Sequence, residues 1–383
     1  MRDAFIFDTC RTPRARRKGK YSKIHPVDLM TLSLNGLIAR NGIPAEAVED
    51  LILGCVTQTG EQGWCVARAA VLAAGFPISV PGTTVNRLCG SGQQATNFGA
   101  QGIQSGNNNL LITGGLEHMT RVPMFSDGGG EKSPALQKEH PGLVDQGPAA
   151  ELMSKEFGVT REEADRFSYE SQMRAKVALE EKRFQKSLIP VNYTDPETGE
   201  AGVLIQDDNP RPSTTLEGLA SLKPVFQEDG ILTAGNSSAI VDGCAAILIG
   251  SQKAADKYNL TPRARIVSMA AVGSPPRVML TGPIGATQKA LKQADLAVDE
   301  IDLWEINEAF APVPLITMQE VEIDPKKVNV NGGAIALGHP LGATGAILIG
   351  TLLDELERQN KKLGCVTMCI GLGMGIATVI ERL

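Results

Sequence analysis

Short apolar runs alternate with longer amphipathic stretches over the first 117 residues. AFIFD (4–8), DLILGCV (50–56) and NLLITGG (109–115) are brief and apolar, and predict strands. Between them, PVDLMTLSLNGLIARNG (26–42) and WCVARAAVLAAGF (64–76) predict helices, so the order is α/β. From about 118 to 240 the pattern changes to Gly128-Gly129-Gly130, several prolines, the charged helical stretch TREEADRFSYESQMRAKVALEEKRF (160–184) and the irregular YTDPETGE and DDNPRPSTT. SSAIVDGCAAILIGS (237–251) returns to buried-strand composition, and α/β alternation then continues to the end.

The two α/β regions resemble each other in order. VEDLILGCV (48–56) parallels VDEIDLWEINEAF (298–310), each a helix exit entering an apolar strand. A glycine-containing turn, a helix and a strand ending in glycines recur as 88–115 and as 337–373, with Cys89 and His339 at corresponding helix starts. A duplicated half-domain follows: 1–117 completed by 241–258, an inserted loop domain at 118–240, and a second half at 259–383.

Composition narrows the class. At 383 residues, 42% hydrophobic and 21% charged, the chain is long enough to bury large cores. A net charge of −6 with scattered lysines and arginines argues against a nucleic-acid surface. The cluster Arg11, Arg14, Arg16, Arg17, Lys18, Lys20 reads as a solvated loop in preference to an anion site. MRDAFIFDTCRTPR has no apolar signal core and no apolar stretch is long enough to span a bilayer, so an intracellular, cytoplasmic protein is expected. Seven cysteines without regular spacing do not form a disulfide framework, and Cys365 and Cys369 have no histidine nearby, so no metal site is expected.

Three segments carry candidate chemistry. In VNRLCGSGQQA (85–95), Cys89 stands where a strand gives way to a helix, whose unpaired amides favour thiolate; a buried thiol in a glycine-rich packing contact is the equal alternative. In NVNGGAIALGHPLGATGA (329–346), His339 has glycine-rich access on both sides and suits proton transfer, though a lone histidine is commonly structural. Cys369 ends an apolar strand before Gly371, Gly373 and Gly375; too little chain follows for a dinucleotide fold, and these glycines suit backbone N–H groups offered to a reacting oxygen. Asn307 and Glu308 follow a strand, as cleft residues or as a turn with a solvated carboxylate.

Together VNRLCGSGQQA, GGLEHM, TAGNSS, NEAF, GGAIALGHPLGATGA and CIGLGMG resemble the thiolase family, over essentially the whole chain. The resemblance implies an α/β thiolase fold: two duplicated halves in five layers, α-β-α-β-α, with an inserted loop domain. It implies an acyltransferase with Cys89 as nucleophile, His339 as its activator, Cys369 as acid/base, Asn307 holding a water that polarises the thioester oxygen with His339, and the amides of Cys89 and Gly371 forming a second oxyanion hole. Coenzyme A is implied as co-substrate, with no permanently bound cofactor; Ser238 matches a pantetheine contact and Arg211 a position near the nucleotide.

Thiolases selective for acetoacetyl-CoA carry a His-Met pair where this chain reads GLVDQGPAAELM, and small Gly147-Pro148-Ala149-Ala150 leaves room for a longer acyl chain. Fatty-acid β-oxidation is therefore the expected setting, with biosynthetic acetoacetyl-CoA condensation as the alternative and a non-catalytic acyl-CoA-binding subunit as a rival of another class. The resemblance also implies a homodimer or homotetramer and admits a β-oxidation multienzyme partner.

Overall fold

The computed structural model describes residues 2–128, 130 and 133–383; Gly129 of the glycine run lies outside them. The N-terminal region runs β1 (Phe5–Arg11), β2 (Ala15–Arg16), α1 (Pro26–Asn41), β3 (Leu51–Gly54), α2 (Val66–Ala73), β4 (Gly82–Val85), α3 (Ser91–Ser105) and β5 (Leu110–His118). The middle of the chain holds α4 (Pro134–Glu139), α5 (Gln146–Phe157), α6 (Arg161–Glu180), the hairpin β6 (Val191–Thr194) and β7 (Ala201–Leu204), and α7 (Leu216–Ala220). There follow β8 (Val241–Gly250), α8 (Gln252–Tyr258), β9 (Ala264–Gly273), α9 (Gly282–Ala294), β10 (Leu303–Ile306) and α10 (Pro312–Val321). The chain ends with α11 (Ala334–Leu337), α12 (Leu341–Arg358), β11 (Leu363–Ile370) and β12 (Met374–Arg382).

One sheet carries the order β10-β11-β12-β9-β1-β8-β5-β3-β4, with β2 added to β8. The duplication is visible in its pairing. β3 runs parallel to β5, and β8 lies antiparallel between β5 and β1; in the same way β10 runs parallel to β11, and β12 lies antiparallel between β11 and β9. Beside β3, β4 precedes α3; beside β10, a parallel bridge from Val328 to Trp304 precedes α12. The halves meet where β1 pairs with β9 at Phe5↔Arg265 and Ile6↔Ala264.

Strand alternation sorts the side chains into layers. On β8, Cys244, Ala246 and Leu248 face a core with α1 and α2, while Ala245, Ile247 and Ile249 face α3 and α12. A third core joins α9 and α10 to Trp304, Ile306, Cys365 and Val379 on the far side of the C-terminal half. The result is five layers with α3 and α12 innermost. Every residue from Leu341 to Leu356 of α12 is buried, as a helix covered on all sides requires.

Glycine permits the central crossing. A Cβ on Gly92 of α3 would stand 2.5 Å from the Gly342 carbonyl oxygen, and one on Gly345 would strike Gln93 backbone. The two helices therefore touch backbone to backbone near their N-termini, and this brings the starts of α3 and α12 together.

The middle segment docks onto both halves. Thr160 and Glu163 close a reciprocal capping box that starts α6, and Glu151 of α5 accepts from Ile231 N (3.0 Å) and Leu232 N (2.9 Å). The basic cluster departs from the solvated-loop expectation. Arg11 and Arg14 are buried on Asp207, with Nη1–Oδ1 2.7 Å and Nη2–Oδ2 3.0 Å, while Arg16, Arg17 and Lys18 are exposed. Two buried cations needed a buried anion, which only the tertiary return of DDNPRPSTT supplies.

Candidate active site

Cys89 sits one residue before Gly90, the N-cap of α3, and His339 one residue before Pro340, the N-cap of α12. The turn ahead of Cys89 is held by its own polar side chains. Asn86 Nδ2 donates to Val56 O (3.0 Å), Leu88 N donates to Asn86 Oδ1 (2.8 Å), Arg87 N donates to Ser91 Oγ (2.8 Å), and Ser91 Oγ–H donates to Leu88 O (2.6 Å). These bonds hold Leu88 at φ 44°, a left-handed conformation that is costly for leucine, in the turn that leads to Cys89.

Cys89 is 4% exposed, beside Val56, Met119 and Leu341. Burial pushes its thiol up to about 11, opposed by the Gln146 amide and the N–H groups of Gly371 and Cys89 itself. The sequence-based expectation of a thiolate favoured by the helix terminus is therefore corrected: desolvation is the largest influence on this thiol and keeps it protonated in the resting protein.

His339 is held at both ring nitrogens. Thr344 Oγ1–H donates to Pro340 O (3.0 Å), so the same oxygen accepts from His339 Nδ1–H at 2.6 Å; this network assigns the tautomer and leaves Nε2 with its lone pair. Asn307 Nδ2 reaches that Nε2 at 3.4 Å. Burial, and then the charge of Arg14, lower His339 to about 3, so it is neutral at pH 7. Arg14 lies under the motif: its Cγ and that of Pro340 flank the same face of Gly243, 3.6 and 3.5 Å from where a Cβ would stand. No hydrogen bond joins His339 to Cys89 in this structure; the two stand just ahead of α12 and α3, which cross at Gly92 and Gly345.

Asn307 N donates to Thr367 O (3.0 Å), while its Oδ1 is buried without a hydrogen-bond partner. The solvated-carboxylate alternative for Glu308 does not hold. Its carboxylate is buried and accepts from Ser171 Oγ (2.7 Å), Asn329 Nδ2 (2.9 Å) and Ile335 N (3.1 Å), which ties NEAF to α6 and to the loop before α11.

Cys369 is buried on β11, paired with Gly375 of β12, and packs with Ala149, Ala150 and Met153 of α5 and with Phe310. Burial, and then the proximity of Cys89, push its thiol well above the ordinary range. Gly371 follows in the turn between β11 and β12, where a Cβ would stand 2.8 Å from Gln146 Nε2 and 2.9 Å from Leu88 Cδ1. Cys89, Cys369 and Gly371 thus converge from the two halves, while His339 and Asn307 pair with each other.

Arg211 is exposed and lines a cavity of about 250 Å³ with Gln172, Thr214, Leu219, Leu222 and Ala239. Ser238, next to Ala239, is half-buried, and its N–H donates to Ala309 O (2.9 Å), joining TAGNSS to NEAF. The room expected at Gly147 is occupied: the Phe226 ring lies where a Gly147 side chain would, stacked edge-on against Phe310 at 5.7 Å between centroids. The glycine admits an aromatic neighbour from a distant loop, which identity alone does not reveal.

Glu117 had no sequence signal beyond its place in GGLEHM, yet it organises the site. Its buried carboxylate accepts from Val56 N (3.0 Å), Thr57 N (3.2 Å), Gln62 Nε2 (2.9 Å) and Gly342 N (2.9 Å), bridging the first half to the start of α12. Among the described residues no cluster of three or more His, Cys, Asp or Glu side chains is placed to hold a metal, and no helix is long and apolar enough to cross a membrane.

Residues 4–253 match the family model for the thiolase N-terminal domain, and residues 260–382 that for the thiolase C-terminal domain. The chain belongs to the thiolase family. This thiolase is 45% identical to the 3-ketoacyl-CoA thiolase of Idiomarina loihiensis, with the whole of both chains covered. It is 44% identical to the steroid 3-ketoacyl-CoA thiolase of Mycobacterium tuberculosis, over all of this chain and 95% of that one. Among solved structures, human mitochondrial 3-ketoacyl-CoA thiolase superposes with a TM-score of 0.91 at 36% identity, covering 100% of this thiolase and 99% of that chain.

Proposed function

We propose that this thiolase cleaves 3-ketoacyl-CoA with CoA, giving acetyl-CoA and an acyl-CoA shortened by two carbons, as in fatty-acid degradation. His339 Nε2 takes the Cys89 proton, and the thiolate attacks the 3-keto carbon. The C2–C3 bond then breaks, leaving the acyl group on Cys89 and the electron pair in the enolate of acetyl-CoA, which Cys369 protonates at C2. The Cys369 thiolate next removes the proton of incoming CoA, whose sulphur attacks the acyl-cysteine carbonyl and expels Cys89. One hard step becomes two easier ones, with the two cysteines in opposite roles. Asn307 and His339 serve the thioester oxygen, with the open Asn307 Oδ1 suited to hold a water, and the amides of Cys89 and Gly371 serve the oxygen of the cleaved ketone.

The observation that carries this reading is the meeting of two buried thiols, Cys89 from the first half and Cys369 from the second, with a neutral histidine at the start of α12, the helix that crosses α3. A non-catalytic acyl-CoA-binding subunit needs no such trio. The test is CoA-dependent loss of 3-ketoacyl-CoA across short, medium and long acyl chains, with Cys89→Ala as control. Turnover that persists with chain length supports degradation; turnover confined to acetoacetyl-CoA transfers the assignment to the biosynthetic reaction.

Arg211 and Ser238 are assigned to CoA, the guanidinium for phosphate or adenine and the serine for the pantetheine arm. Domain limits of 1–117 with 241–258, 118–240 and 259–383 fit the placement of β8 between β1 and β5. A homodimer or homotetramer is supported by β4, which ends the sheet, and by the exposed Trp64, Leu72 and Ile78 in the preceding segment. A multienzyme partner in β-oxidation would use a surface of the same kind. Seven free cysteines fit a reducing, cytoplasmic compartment.

A further inference from the structure

One polar side chain reaches the reacting sulphur without a role in the steps above. Gln146 is the first residue of α5, and the helix behind it is pinned: Glu151 binds two backbone N–H groups, and Ala149, Ala150 and Met153 pack around Cys369 and Phe310. Gly147 rests on the Phe226 ring, which fixes the backbone that bears Gln146. The carboxamide ends at the sulphur, with Nε2 4.0 Å from Cys89 Sγ and 2.8 Å from where a Cβ on Gly371 would stand. Those two points bound the small volume in which the sulphur must carry charge.

We propose that Gln146 is a further catalytic residue, its Nε2–H donating to the Cys89 sulphur while that sulphur is a thiolate. The proposal rests on the assignment of Cys89 as the nucleophile. Hydrogen bonds to ionised acceptors are stronger than those to neutral ones, so the contact tightens as the proton leaves for His339 and relaxes once the sulphur is acylated. The amide itself transfers no proton. Several other groups act on this sulphur: the N–H groups of Gly371 and Cys89 favour the thiolate, whereas Glu117 and burial disfavour it. Cys369, uncharged until it has given up its proton, is close enough for its own thiol to be raised by Cys89. Gln146 is the largest of the influences that lower the Cys89 thiol.

The test measures alkylation of Cys89 by iodoacetamide against pH in the full-length protein, followed by peptide mass, for wild type, Gln146→Met and Gln146→Glu. Methionine keeps the length and removes the donor; glutamate adds a like charge. The midpoint is expected to rise by about one pH unit in Gln146→Met and further in Gln146→Glu, because the thiolate loses a donor and then meets an anion. Midpoints equal to wild type in both variants, with rates unchanged or scaled alike at every pH, overturn the proposal. Alkylation needs neither CoA nor turnover, so this failure is separate from failure of the thiolysis reading, which would show as activity surviving Cys89→Ala.

Discussion

Thr344→Val tests how the base is held. Thr344 Oγ1 accepts from His339 Nδ1–H at 2.6 Å, and valine keeps the shape while removing that acceptor. The Pro340 carbonyl that loses the hydroxyl still accepts from Ala343 N and Thr344 N, so the start of α12 keeps its backbone bonds. The cost therefore falls on the imidazole, which in the proposed reaction becomes cationic when it takes the Cys89 proton. A hydrogen bond to a charged group contributes about 1.5–3 kcal/mol, so kcat/KM should fall roughly 10- to 150-fold. Thr344→Ser, which restores the hydroxyl, should recover most of the loss. Steady-state thiolysis with saturating CoA measures both. Wild-type activity in Thr344→Val, or equal loss in Thr344→Ser, would refute the claim that this hydroxyl fixes the tautomer and aim of His339.

Two further outcomes follow from the site and its supports. Cys369→Ala should lower kcat for thiolysis by about 10²–10⁴, the range for loss of a general acid/base, while Cys89 stays open to alkylation. Burial works to raise Asp207, but the guanidiniums of Arg11 and Arg14 prevail and hold it well below the usual carboxylate range, so its stabilisation is full above the unfolded-state value and fades only as pH falls toward the depressed one. Asp207→Asn should accordingly lower the urea midpoint at pH 7, and the gap to wild type should narrow only in strong acid; a gap already closed at pH 5 contradicts the pairing.

What the sequence disclosed and what it hid divide along physical lines. Cys89, His339, Asn307 and Cys369 stand in motifs whose glycines and prolines set local backbone, and the α/β order comes from apolar periodicity, so both are legible from short windows. Duplication was also legible, because β3 and β10 enter their halves through similar residues. Hidden were effects of long-range packing. The Cys89 thiol is raised, not lowered, because the depth of burial depends on five layers closing over it. Gln146 lies 57 positions from Cys89 and reaches it only when α5 docks on Phe310. Phe226 fills the space beside Gly147, and Asp207 draws Arg11 and Arg14 inward, through contacts between segments that are distant along the chain.

The most direct test of the central claim is the mass of the Cys89 peptide after brief incubation with a 3-ketoacyl-CoA in the absence of added CoA, followed by an acid quench. The account predicts the shortened acyl group on Cys89, and none in Cys89→Ala. Acyl label on Cys369 instead, or turnover without label on either cysteine, would contradict it.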